Sequence, residues 1–106
     1  MEATSIGKAE FMSPINQEGS WGERNLAKRT KSVMELFFHK DNTGFIEWDI
    51  PKLDMTEHIG LVFEIAPDGK RILTDYDGVF SLPDQAMDLL EKHGVDCSEM
   101  RKSLAD

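Results

Sequence analysis

Cysteine is nearly absent from this sequence: Cys97 is the only one in 106 residues. A single thiol excludes a disulfide within the chain and any zinc site built from several cysteines. The acidic residues Asp96 and Glu99 lie close to Cys97 in the chain, and negative neighbours disfavour a thiolate. The sequence therefore predicts a buried or unreactive thiol at this position and no cysteine nucleophile.

Long hydrophobic runs are also absent. No stretch approaches the roughly 20 consecutive apolar residues that a membrane-spanning helix needs. The first twenty residues contain too little apolar sequence for a secretory signal. We therefore expect a soluble cytoplasmic protein that does not engage membranes.

Basic residues are scarce relative to acidic ones. The chain has 12 Lys and Arg against 20 Asp and Glu, which gives a formal net charge of −8. The bases concentrate in residues 23–40, whereas residues 41–106 are strongly acidic. Because affinity for nucleic acids comes mainly from Lys and Arg that neutralise phosphates, this composition excludes nucleic acid as the expected partner and favours a basic protein.

The length of the chain predicts one domain, preceded by a polar segment. Residues 1–19 have few apolar positions and no period, so we expect a flexible N-terminal segment in which residues 6–11 could add a short edge strand. The remaining residues, 20–106, are predicted to form a single α+β domain.

The domain is predicted to begin with a helix over residues 20–39. Ser20 and Glu23 have the spacing of a capping box, in which each side chain satisfies a free amide of the other residue. One helical stripe then carries Leu26, Thr30, Val33 and Phe37.

A β-hairpin is predicted over residues 58–76. Apolar residues alternate with other residues in both arms, which is typical of half-buried strands. Between the arms, Pro67 presets a turn dihedral and Gly69 can take a positive φ, so a four-residue turn is expected. The turn sets the register, and the expected facing pairs are Ile65 with Lys70, Phe63 with Ile72, Val62 with Leu73 and Gly60 with Asp75.

A third strand is predicted before the hairpin. Ile46, Trp48 and Ile50 alternate along it, and Pro51 ends it because proline cannot donate to a sheet. We expect Ile50 to face Ile59 in the next strand, which would keep one face of the sheet apolar.

Two helices are predicted after the hairpin. Ser81 is expected to cap the first helix, Pro83 and Asp84 are typical of a first helical turn, and Gly94 is typical of the residue that ends a helix. A short terminal helical turn is expected from Asp96 onward. The predicted fold class is therefore α+β: an N-terminal helix, a three-stranded antiparallel β-meander, a C-terminal helix and a terminal helical turn, with the helices packed on one sheet face.

The sheet face that the helices leave open is the predicted binding surface for a protein partner or for a second copy of the chain. An apolar centre with a polar rim is the usual anatomy of an interface. A solvated or otherwise covered face is the alternative. The predicted partner-binding residues are Phe45, Glu47, Asp49, Val62, Glu64, Leu73 and Asp75.

Acidic residues at one edge of the sheet suggest a second hypothesis, a divalent-metal site. Carboxylates are the ligands that Mg²⁺, Mn²⁺ and Ca²⁺ prefer, although acids are also common in turns. A metal-dependent enzyme or metal-binding protein would use Asp49, Asp54, Glu57, His58, Asp75 and Asp77.

No catalytic motif is present, since the sequence has no phosphate-binding glycine loop, nucleophile elbow or paired cysteines. No catalytic residue and no cofactor are predicted, and an enzymatic activity is less expected than a binding function. The favoured hypothesis is a small acidic protein-binding or regulatory module.

Overall fold

The computed structural model describes residues 2–21 and 26–105, with the backbone alone at residue 26. Its main feature is a five-stranded antiparallel sheet in which the strands follow one another in chain order. The elements are β1 (Ala3–Asn16), β2 (Arg29–His39), β3 (Thr43–Ile50), β4 (Met55–Ile65), β5 (Arg71–Asp77), α1 (Asp84–Lys92) and α2 (Ser98–Ala105), with short 3-10 turns at Leu26–Lys28 and Pro51–Leu53.

The predicted N-terminal helix and three-stranded sheet are wrong. Residues 29–39 form strand β2, in which Thr30, Ser32 and Met34 alternate inward and are buried. As a strand, this segment can pair with a neighbour along each edge, and it does so with β1 and β3. The predicted capping box includes Glu23, which lies outside the described residues.

The stretch predicted to be a flexible lead-in forms β1, which extends well beyond the expected strand over residues 6–11. It pairs antiparallel with β2, with register shifts after Ser5 and after Met12. Phe11 packs partly against the core, and Ile15 is fully buried in it. The sheet therefore has two more strands than predicted, β1 and β2.

The β3–β4 hairpin is tighter than the sequence predicts. Ile50 pairs with Met55, and Ile46 pairs with Ile59, so the expected pairing of Ile50 with Ile59 is wrong. A short 3-10 turn follows β3, and Asp54 closes it with a left-handed φ of 51°. Because the turn is so short, residues 55–57, which precede the predicted hairpin, also belong to β4.

The β4–β5 hairpin has the predicted turn but another register. Gly69 takes a φ of 87°, as its position in the turn requires. Phe63 faces Leu73 instead of Ile72, and the register shifts again after Val62. A slip of one residue moves the affected side chains to the other face of a sheet. Leu73 therefore points into the core.

The first helix ends as predicted but begins differently. Gly94 follows α1 with a φ of 86°, and the Val95 N–H donates to the Leu90 carbonyl at 3.0 Å, as in a Schellman motif. The N-cap residue is Pro83, and no side-chain hydrogen bond caps the helix, so the predicted cap by Ser81 is wrong.

The segment between the helices runs along part of the outer edge of β5. The Asp96 N–H donates to the Arg71 carbonyl at 2.8 Å, and the Leu73 N–H donates to the Asp96 carbonyl at 2.9 Å. This short parallel bridge pairs backbone groups that would otherwise lie at a sheet edge.

The core lies between one face of the sheet and the helical part of the chain. No helix among the described residues is long and apolar enough to cross a membrane. The buried hydrophobic residues that form one continuous cluster are Ile15, Met34, Leu36, Ile46, Trp48, Ile50, Ile59, Leu61, Phe63, Leu73, Leu82, Ala86, Met87, Leu89, Leu90, Val95, Cys97 and Met100.

Candidate protein-binding face

Side chains that alternate with the core residues project from the opposite face of the sheet, which we name the outer face. The helices pack on the other side, where the buried cluster lies. Cross-strand pairing arranges the outer face in rows that run from β2 or β3 toward β5. The rows are Val33, Asp49 and Thr56; Glu35, Glu47 and His58; Phe37, Phe45, Gly60 and Asp77; and Thr43, Val62 and Asp75.

An aromatic pair lies in the middle of the outer face. The rings of Phe37 and Phe45 stack with their centroids 4.6 Å apart and an angle of 15° between their planes. The rings of His39 and His58 lie 5.5 Å and 5.9 Å from the ring of Phe45. Gly60, which pairs with Phe45, leaves room beside that ring because it has no side chain.

Carboxylates surround this aromatic centre. The Glu47 Oε2 lies 3.6 Å from the His58 Nε2, and the Glu35 Oε1 lies 3.8 Å from the Lys8 Nζ. Acids outnumber bases on this face, which gives it a negative rim. By their strand positions, its acids are Glu10, Glu35, Glu47, Asp49, Glu64, Asp75 and Asp77, and its bases are Lys8, Arg29 and Lys31.

All but one of the predicted partner-binding residues lie on the outer face. The exception is Leu73, which is 0% exposed on the helix-covered face, while Val62 is 44% exposed. Leu73 therefore contributes to the core and not to a binding surface. The residues that share the outer face are Phe45, Glu47, Asp49, Val62, Glu64 and Asp75.

Phe37 and Val33 were not predicted to lie on this face, because their spacing fits a helical stripe. They belong to β2, and Phe37 supplies half of the stacked pair. A signal for this strand was present, because Thr30, Val33, Phe37 and Phe38 are β-branched or aromatic residues, which favour strands.

Scans against protein-family models, curated proteins and solved structures found no match to this chain.

The residues considered as metal ligands are spread over the molecule. Asp54 lies in the β3–β4 turn, and the adjacent residues Glu57 and His58 project from opposite faces of β4. Asp75 and Asp77 lie on β5, which pairs with the edge of β4 that faces away from β3. In the part of the chain that the structure describes, no group of three or more His, Cys, Asp or Glu side chains could hold a metal ion.

A cleft with a volume of about 560 Å³ lies between Trp21 and the two helices. Arg101 lines it, but its guanidinium already donates to Glu91 and Asp88, each at 2.7 Å. The hydrogen bond from Arg101 lowers the pKa of Glu91 below its ordinary value. These carboxylates offset the charge of the guanidinium and accept its N–H hydrogen bonds. Arg101 therefore attracts an anionic ligand only weakly.

Cys97 is a core residue. Its side chain is 0% exposed, and burial raises the pKa of its thiol to about 12. Its Sγ lies 3.9 Å from the Met87 carbonyl oxygen. A thiol in this environment is protonated at neutral pH. The prediction that Cys97 is buried is confirmed.

Proposed function

We propose that this chain is a small protein-binding module that engages a basic, partly apolar protein surface through its outer face. The stacked pair of Phe37 and Phe45 is the observation that carries the proposal. Aromatic side chains at the centre of a patch, with polar residues at its edge, are the usual composition of a protein interface. A sheet face that only contacts water has no need of a stacked phenylalanine pair.

The charge of the rim selects the kind of partner. Glu47 and Asp75 lie near the aromatic centre, and other carboxylates extend the negative surface along the strands. Complementary charge accelerates association and disfavours wrong partners. A partner with Lys or Arg around an aromatic or aliphatic anchor fits this face, whereas stacking two copies face to face would bring the acidic rims together.

The test is a comparison of variants against one purified partner. A protein retained by the immobilised chain from a lysate of its source would be identified, purified and titrated in solution by calorimetry. We expect Phe45→Ser and the double substitution Glu47→Lys with Asp75→Lys each to raise the dissociation constant about tenfold or more at low salt.

Two matched controls lie away from the outer face. Val79 is 79% exposed in the loop before α1, and Glu99 is exposed at the start of α2. Val79→Ala removes exposed apolar surface, and Glu99→Lys reverses a charge, so both should leave affinity unchanged. Binding that is as sensitive to the controls as to the outer-face substitutions would exclude the outer face as the binding site.

A further inference from the structure

Strand β1 forms one edge of the sheet. Over residues 3–12, its only strand neighbour among the described residues is β2. At the opposite edge, the bridge from Asp96 already covers part of β5. A strand edge presents N–H and C=O groups that can pair with another strand. The β1 edge is therefore a surface for strand addition.

The sequence of β1 is self-complementary about Ala9. If two β1 strands pair antiparallel with Ala9 facing Ala9, then Lys8 faces Glu10 of the second copy. Twofold symmetry forms this pair twice, since Glu10 also faces Lys8 of the second copy. Both residues are exposed, and directly opposite charges on neighbouring strands attract.

Neighbouring registers lose this complementarity. Centring the pair on Lys8 places two lysines opposite each other, and centring it on Glu10 places two glutamates opposite each other. A shift by one residue sets outer-face positions of one copy against helix-face positions of the other. Both the charges and the faces of the strand therefore favour the register centred on Ala9.

We propose that two copies of this chain associate by antiparallel pairing of their β1 strands, with Ala9 on the twofold axis. In this arrangement Phe11 faces Gly7 of the second copy, beside the His93 ring that packs on that glycine. Pro14 has no N–H, so it limits the pairing at the end of the strand.

The dimer joins two sheets of five strands edge to edge and leaves both outer faces uncovered. Both faces then lie on the same side of one continuous sheet, which presents two Phe37–Phe45 pairs to a partner. A partner with two matching sites would gain avidity from this geometry. Dimerisation itself uses the β1 edge alone, so it can be tested independently of partner binding.

The first experiment is sedimentation equilibrium of the purified protein at about 50 mM and about 500 mM NaCl. We expect a monomer–dimer equilibrium that weakens at the higher salt, because salt screens the exposed Lys8–Glu10 pairs. Lys8→Glu or Glu10→Lys alone should raise the dissociation constant about tenfold or more at low salt, since each places like charges across the axis. A wild-type protein that is monomeric at every concentration would overturn the proposal.

Mixing the two variants separates pairing from folding. Lys8→Glu supplies two acids at these positions and Glu10→Lys supplies two bases, so the equimolar mixture restores both opposite-charge pairs. We expect the mixture to form a heterodimer with nearly wild-type affinity, although neither variant dimerises well alone. A mixture that associates no better than its components contradicts this register, as does a wild-type dimer that is indifferent to either reversal.

A crosslink tests the position of the axis. Facing residues of antiparallel strands have Cα atoms about 4.5–5.5 Å apart, within the range of a disulfide. Ala9→Cys should therefore form a dimer that reducing agent dissolves, whereas Glu99→Cys on α2 should remain a monomer under the same oxidation. Equal crosslinking of the two variants would show that collision and not strand pairing brings the thiols together.

Discussion

Arg101 in α2 holds Glu91 in α1 through two hydrogen bonds, from Nη2 to Oε1 at 2.7 Å and from Nε to Oε2 at 3.2 Å. Asp88 and Asp84 also lie against this guanidinium, at 2.7 Å and 3.3 Å. The planar guanidinium matches a carboxylate in this bidentate geometry. The contact joins the surfaces of α1 and α2 through the side chain of one residue, Arg101.

We expect Arg101→Gln to lower the free energy of unfolding by about 1 kcal/mol, a modest amount because the contact is partly open to water. Lys102→Gln is the matched control, since it removes one positive charge from the next residue, which is exposed. Urea unfolding monitored by circular dichroism measures the free energy of unfolding of both variants. If the two variants lose the same free energy of unfolding, the positive charge and not the bidentate contact stabilises the fold.

The same contact predicts a dependence of stability on pH. Arg101 holds the pKa of Glu91 below its ordinary value of 4.5 in the folded state. A carboxyl with a lowered pKa contributes stability that is fully present above the unfolded pKa and is lost as the pH falls through the folded pKa. The difference in stability between wild type and Arg101→Gln should therefore shrink as the pH is lowered below 4.5. A difference that stays constant to lower pH would contradict the linkage.

Leu73 and Val62 distinguish the observed register from the predicted one, which placed both on the same exposed face. Leu73 is 0% exposed, so Leu73→Ala should cost about 2–5 kcal/mol of unfolding free energy through lost burial and a cavity. Val62 is 44% exposed, so Val62→Ala should cost less than about 1 kcal/mol. Chemical denaturation of the two variants checks the difference, and similar small costs would favour the predicted register.

Cys97 should resist alkylation in the folded protein. Its thiol is buried and its pKa is raised to about 12, so reaction with iodoacetamide at mildly alkaline pH should be at least about 100-fold slower than after denaturation. Ser103→Cys adds an exposed thiol on α2 as an internal control. Mass spectrometry should then find one modified cysteine in this variant and none in wild type. Rapid labelling of Cys97 itself would show that the core opens locally.

The elements that follow from short-range chemistry were predictable. The turn at Gly69 and the helix end at Gly94 depend on a left-handed backbone that glycine adopts without strain, and both occur as predicted. Half of the aromatic centre was also predictable, since Phe45 was assigned to an exposed face. The registers of both hairpins were not, because turns of similar composition can close pairings that differ by one or more residues.

The segment over residues 29–39 shows why the rest could not be predicted. Its residues Val33 and Phe37 fit a helical stripe, while Thr30, Ser32 and Met34 equally fit one face of a strand. A strand is stabilised by hydrogen bonds to segments that lie far away in the sequence. Its local pattern therefore does not reveal whether such neighbours exist.

The turn at Gly69, the two C-terminal helices, the acidic charge and the presence of an antiparallel sheet could be predicted, because each depends on residues close together in the chain or on composition. Three features follow only from the folded structure: β1 and β2 join the sheet, Leu73 turns inward, and Phe37 stacks on Phe45. These features depend on which strands pair and in which register, and that choice is made by the packing of the whole sheet against its helices.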